Sequence, residues 1–296
     1  MKVGVTGASG FIGTALQPAI RKAGHEVVRF VRRNPTGTER QWDARQLAPD
    51  AVGDLDAVIH LSGAGVAGKR WSTAYKKEIL DSRVVSTDAV AEAVAQAGVP
   101  VLLSGSAIGF YGGSRGSQQS GDQILDETAS VGTGFLADVV RQWEAATAPA
   151  DRHARVVHLR TGIVQSREGG ALATQLPLFK AGLGAPLGNG RQWVSWISLQ
   201  DEVAAIVHLL SADVSGPVNL VGPEPVTNRA YTQALGKALH RPTLPIGVPA
   251  PVLRIALGEF AGEVLGGQRL VPRMLVGSGF AFAHEDLASA LRSALG

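Results

Sequence analysis

Three glycines near the N-terminus carry the sharpest chemistry in this chain. Residues 6–13 read Thr6-Gly7-Ala8-Ser9-Gly10-Phe11-Ile12-Gly13, directly after a short apolar run, KVGVT at 2–6, and directly before a helical pattern from Phe11 to Ala23. In such a turn the first glycine permits the bend. The second lets backbone approach a pyrophosphate with no side chain in the way, and the third lets the helix pack close to a sheet. The helix start then offers unpaired N–H groups and the positive end of its dipole to phosphates. A lone glycine triplet says little. Placed between the first strand and first helix of a βαβ unit, it reads as a dinucleotide site, with Gly7, Ala8, Ser9, Gly10, Phe11 and Ile12 on the phosphate side.

The end of the second apolar run decides which dinucleotide. An NAD site typically places an acid there for the ribose hydroxyls. Here the segment reads Phe30-Val31-Arg32-Arg33-Asn34. The acid is missing and two guanidiniums stand in its place, suited to charge-assisted bonds with a 2′-phosphate. This favours NADP(H), with Arg32 and Arg33 as its readers. Asp43, after Arg40-Gln41-Trp42, could accept from an adenine amino group or serve as an ordinary turn residue. Leu61-Ser62-Gly63 follows the run AVIHL at 57–61, at a strand's C-terminal end, where open α/β sheets bind ligands.

These groups need a scaffold, and the pattern supplies one. Strands are expected at 2–6, 26–31, 40–43, 57–61, 100–104 and 154–159, and helices at 11–23, 74–97, 134–148 and about 200–211. Apolar strands alternating with helices imply parallel pairing through right-handed crossovers, with both sheet faces covered. The fold class is α/β, a Rossmann doubly wound parallel sheet with a smaller, mainly helical C-terminal substrate domain. The nucleotide domain is expected over 1–165, with a return segment at about 196–222. The cap is expected over 166–195 and 223–296, with a short strand at 279–282. A Gly/Ser/Gln-rich surface loop is expected at 112–123.

Composition narrows the classes. The 296 residues are 45% hydrophobic and 18% charged, a globular balance. The absence of cysteine excludes disulfides, thiolate catalysis and cysteine-ligated metal. The seven histidines show no ligand spacing, so no metal is expected. His60, inside an apolar strand, reads as a satisfied core residue. The net charge of +3 is scattered, with no basic stripe interleaved with aromatics, which argues against nucleic acid. No apolar run is long enough to span a bilayer and no signal sequence is evident, so a cytoplasmic protein is expected.

Residues 60–87, 103–112, 134–144, 183–201 and 257–282 resemble a branch of the extended and atypical short-chain dehydrogenase/reductases. Its members are called epimerase family proteins and carry a C-terminal domain of unknown function. The superfamily normally uses a Tyr-x-x-x-Lys pair on one helical face together with an upstream Ser. Alignment on that pattern puts Phe135 at the Tyr position and Val139 at the Lys position, so the usual proton relay is absent. The resemblance leaves Ser104 and Ser106 near the superfamily's Ser, with Ser104 beside the cofactor. Ser106 and Tyr111 stand as replacement catalytic candidates, and Lys76 as a charge that could assist a phenol if its helix start faces the cleft. Gly162 and Ile163 fall where the superfamily passes the nicotinamide carboxamide. A homodimer through 74–97 and 134–148 is left open.

The second half adds a candidate substrate pocket. Trp193 and Trp196 offer flat apolar walls with one donor each, Arg191 can hold an anionic or polyhydroxyl group, and Arg70 and Trp71 would face the same cleft. The leading expectation is an NADP(H)-dependent oxidoreductase acting on a carbonyl or hydroxyl carbon of a small molecule. The alternatives are a nucleotide-sugar epimerase-like enzyme and a non-catalytic NADP(H)-binding sensor.

Overall fold

The computed structural model describes residues 1–113 and 122–296. Seven strands form one parallel sheet: β1 (Lys2–Thr6), β2 (Glu26–Val31), β3 (Arg40–Gln41), β4 (Ala57–His60), β5 (Val101–Ala107), β6 (Arg155–Thr161) and β7 (Gly216–Leu220). Their order across the sheet is β7-β6-β5-β4-β1-β2-β3. The chain winds outward from β1 to β3, then crosses back to lay β4 on the other side of β1. The crevice at the C-terminal ends of β1 and β4 is the switch point at which such sheets bind ligands. The Rossmann expectation holds, and the strands are apolar runs because helices cover both faces.

On one face α1 (Phe11–Lys22) and α5 (Leu199–Leu209) bury Leu16, Ile20, Ile206 and Leu209 against Val5, Ile59 and Leu103. On the other, α2 (Thr73–Ala97) brings Val90 and Val94 onto Val28, Val58 and Leu102. Ser72 caps α2 by accepting from the Tyr75 amide at 3.2 Å, and Gly98 ends it at φ +70°. Beside α2 lies α3 (Phe135–Ala145). His60 is a fully buried core residue, as its setting implied. Its ring nitrogens meet the Thr6 hydroxyl at 2.7 Å and the Ser86 hydroxyl at 3.1 Å, and burial pushes its pKa down to about 3, which keeps it neutral.

Residues 223–296 are mainly helical: α6 (Asn228–Ala238), α7 (Ala250–Leu257), α8 (Ala261–Leu265), α9 (Arg273–Gly277) and α10 (Leu287–Leu295). With α4 (Gly170–Lys180), α6 and α10 enclose a core of their own around Leu176, Trp196, Leu235 and Leu291. The strand expected at 279–282 does not form. Phe280 and Phe282 stack edge to face at 5.0 Å and pack onto the α1–α5 core, so their alternation records packing without a ladder. Most of the loop expected at 112–123 lies outside the described residues.

Candidate functional site

The phosphate loop has the geometry that its sequence requires. Gly7 adopts φ +65°, and a Cβ there would meet the Leu61 carbonyl at 2.7 Å, so the loop after β1 lies directly on the loop after β4. The Gly10 amide donates to the Gly7 carbonyl at 2.9 Å and Gly10 is the N-cap of α1. A Cβ at Gly13 would lie 2.3 Å from the Gly7 oxygen, which seats the first turn of α1 against the loop. Ser9 and Gly10 are exposed, and no side chain caps the first N–H groups of α1. This cradle fits a dinucleotide pyrophosphate.

At the end of β2, Arg32 and Arg33 are exposed and neither takes part in an ion pair among the described residues. Their neighbours are matched: Arg29 pairs with Glu39 at 2.9 Å and Arg40 with Asp54 at 2.6 Å. Asp43 is committed to a turn. Its Oδ1 accepts from the amides of Arg45 and Gln46, both at 2.7 Å, and these bonds hold its carboxyl below the usual range.

Several expected groups are already committed to partners within the protein. Ser104 is fully buried, and among the described residues its hydroxyl reaches only the neighbouring Gly105 carbonyl. The amides of Gly162 and Ile163 donate at 2.9 Å to the carbonyls of Leu220 and Ser195, so neither is free to bind a carboxamide oxygen. Ser106 donates to Glu144 Oε1 at 2.6 Å. Glu144 grips Arg160 through two bonds, Nε to Oε1 at 2.8 Å and Nη2 to Oε2 at 2.9 Å. Tyr111, 1% exposed, accepts from Arg160 Nη1 at 3.0 Å and donates to Asn219 Oδ1 at 2.6 Å. Burial pushes its pKa up to about 12, against the opposing pull of Arg160. Both proposed catalysts, Ser106 and Tyr111, are therefore members of a buried network and present no free proton donor to a ligand. The sequence signal for it was Arg160, a charge inside an apolar strand that must find a partner.

What does face the strand ends is an aromatic cluster. Trp71 meets Phe135 edge to face at 4.9 Å and Phe260 at 5.6 Å, with its indole N–H donating to the Val66 carbonyl at 2.8 Å. Lys76 Nζ lies 5.2 Å above the Phe135 ring and pairs with Glu259, which stands between α7 and α8. Arg70 lies beside Gly258 in the same region. Val139 is buried with Tyr75 and Ile79. The structure thus brings Arg70, Trp71 and Lys76 to the segment around Glu259 and Phe260, two residues that the sequence reading missed. Trp196 is not a pocket wall: it is 1% exposed and donates to the Glu224 carbonyl. Trp193 donates to Asp122 at 3.0 Å and Arg269 covers its ring at 4.4 Å, while Arg191 is exposed.

Glu202, at the start of α5, is fully buried. One of its oxygens takes the Thr161 hydroxyl at 2.8 Å, and the other has no partner among the described residues. Burial pushes its pKa up to about 8. A carboxyl raised on folding binds a proton that the unfolded chain has already released. Its contribution is therefore lost as pH rises from the unfolded value near 4.5 towards 8. Across that window Glu202 should lower wild-type stability by about 1.4 kcal/mol per pH unit relative to Glu202→Gln. Urea unfolding of both proteins at pH 5, 6.5 and 8 checks this; parallel curves would show that Glu202 does not titrate between them.

Residues 3–222 match the family model described as the NAD dependent epimerase/dehydratase family, and residues 248–294 match a domain of unknown function, DUF1731. The epimerase family protein Mb2239 of Mycobacterium bovis is 47% identical over 295 residues, covering 98% of this chain and 96% of the relative. The human epimerase family protein SDR39U1 is 34% identical over 301 residues, covering 99% of each chain. The crystal structure of human SDR39U1 isoform 2 with NADPH matches with a TM-score of 0.89 at 31% identity, covering 99% of both chains. A Thermus thermophilus UDP-glucose 4-epimerase solved with NAD shares the fold, at a TM-score of 0.73 and 18% identity. With its glycine cradle at the switch point and the family match over its first three quarters, this chain belongs to the NAD dependent epimerase/dehydratase family, in the branch of epimerase family proteins that carry the DUF1731 domain.

Proposed function

We propose that this chain is a cytoplasmic NADP(H)-binding oxidoreductase for a small carbonyl or hydroxyl compound. The observation that carries the cofactor is the uncapped start of α1 behind an open glycine loop, with two exposed guanidiniums at the end of β2 that form no ion pair among the described residues. Residues Gly7 to Ile12 would hold the pyrophosphate, Arg32 and Arg33 the 2′-phosphate, and Leu61 to Gly63 would pass alongside. When bound, the nicotinamide would supply or take up the hydride. The human relative solved with NADPH supports the same assignment. Trp71, Phe135 and Phe260 would wall the substrate and exclude water. The same proposal divides the chain into a nucleotide lobe, 1–165 with 196–222, and a cap, 166–195 and 223–296.

Arg32→Ala/Arg33→Ala should cost NADPH about tenfold to a hundredfold in affinity and leave NADH nearly unchanged, since only the phosphate-bearing cofactor loses charge-assisted bonds. Calorimetric titration of both cofactors into both proteins tests this. Equal affinity of the wild type for NADPH and NADH would sink the NADP(H) assignment.

A second reading, a non-catalytic NADP(H) sensor, is favoured by one specific observation. Phe135 and Val139 are apolar, while Ser106 and Tyr111 are locked in the buried network. An epimerase cycle, which needs a proton shuttle, is disfavoured on the same ground. NADPH turnover against a broad carbonyl panel separates oxidoreductase from sensor.

A further inference from the structure

Arg83, on α2, is a guanidinium without a counter-ion. It is partly buried, its carbon lies 5.0 Å from the centre of the Trp143 ring, and Nη1 donates to the Ile79 carbonyl at 3.1 Å. No ion pair among the described residues includes it. Other arginines drawn inside are matched. Arg160 has both oxygens of Glu144, and Arg155 donates to the carbonyls of Leu209, Leu210 and Val214. A guanidinium carries five donors, and among the described residues Arg83 spends one of them on protein.

The unused donors are not sealed in the core. The buried side-chain atoms without a partner among the described residues belong to Arg29, Glu127 and Glu202, not to Arg83. They therefore keep some contact with solvent, and the place is specific. A Cβ at Gly63 would lie 3.4 Å from the Arg83 guanidinium carbon, so the group sits against the loop after β4. One step back along that loop, Leu61 and Ser62 touch Gly7 of the phosphate loop. Burial pushes the Arg83 pKa down to about 10, with Tyr75 pulling the other way, as expected for a charge that lacks an anion. A Cβ at Gly63 would rest in ordinary van der Waals contact with this guanidinium.

We infer that Arg83 is an anion-binding residue of the crevice, set to pair with a phosphate or carboxylate oxygen of the ligand that lies beside Gly63. The planar fork, held over the Trp143 ring, suits two-point recognition of such a group. The anion has two possible sources, the dinucleotide's own phosphates or an acidic group on the substrate. This deepens the reading of the crevice as a ligand site without depending on which nicotinamide cofactor occupies it.

The test uses the full chain with Arg83→Met, which keeps the stem over Trp143, and Arg83→Lys, which keeps the charge and loses the fork. NADPH is titrated first. Malonate and inorganic phosphate are then titrated into the NADPH-loaded protein, followed by its melting temperature. If the anion belongs to the dinucleotide, Arg83→Met weakens NADPH at least tenfold and Arg83→Lys falls between the two. If it belongs to the substrate, NADPH affinity is unchanged, malonate or phosphate raises the wild-type melting temperature, and Arg83→Met abolishes that rise. In either case ligand-free Arg83→Met melts no lower than wild type, because an uncompensated charge has been removed. A folded Arg83→Met protein that binds NADPH and both anions like wild type overturns the inference. So does a fall in its ligand-free melting temperature with no change in affinity, which marks a packing role. If wild type does not bind NADPH, the cofactor proposal fails separately, and the anion titrations on the free protein still decide the role of Arg83.

Discussion

Gly10→Val should leave a folded protein that no longer binds NADPH, with affinity down at least a hundredfold. Gly10 stands at φ −76° and ψ 174°, a conformation open to any residue, and it is exposed, so the backbone imposes no penalty on valine. A Cβ would sit 3.1 Å from the Gly7 oxygen, which requires a shift of a few tenths of an ångström. The branched methyls would fill the space in front of the first N–H groups of α1. Two charge-assisted bonds lost there, at about 1.5–3 kcal/mol each, give a hundredfold or more. Gly13→Val must behave differently, because its Cβ would lie 2.3 Å from the Gly7 oxygen and force loop and helix apart, so it should destabilise the fold itself. Circular dichroism and calorimetry on both variants separate the two effects. A folded Gly10→Val protein that binds NADPH normally would show that phosphates do not lie on this loop.

The phosphate loop was legible because every part of it is local: one turn, three glycines and the helix that starts there. The parallel sheet was legible for a related reason, since strands covered on both faces read as unbroken apolar runs. The substrate side was not. The Tyr111 hydroxyl finds Asn219 across 108 residues and Arg160 across 49, and neither contact leaves a trace in the sequence around Tyr111. Trp196 sits in a Gly-rich stretch that reads as a wall of the substrate pocket, yet residues 196–198 pair with Ile163–Gln165 and turn the indole into the core. Phe135 was placed by alignment, but Phe260, which meets the same Trp71 ring, comes from far along the chain and only the fold makes them one wall. Arg83 gave no signal at all, because a charge on a long helix usually faces water.

The other large effect is expected at the buried pair. Glu144→Ala should cost about 3–5 kcal/mol, since it strands the Arg160 guanidinium, 3% exposed, without an anion. For a chain of this size that lowers the melting temperature by roughly 6–15 °C. Tyr111→Phe should cost less, about 1–3 kcal/mol, because it leaves one donor of Arg160 and the Asn219 oxygen unpaired while the ion pair survives. Replacing both charges, as in Glu144→Leu/Arg160→Met, should recover most of the loss, since a buried pair and an apolar pair of similar volume differ little. Denaturant unfolding of the four proteins gives the ordering directly, and a Glu144→Ala protein within 1 kcal/mol of wild type would mean the pair is not buried as described. NADPH affinity should be unchanged in Tyr111→Phe, because the buried phenol spends its single proton on Asn219. If Tyr111→Phe keeps wild-type stability and instead stops turnover of a carbonyl substrate, the phenol must leave this network when ligand binds.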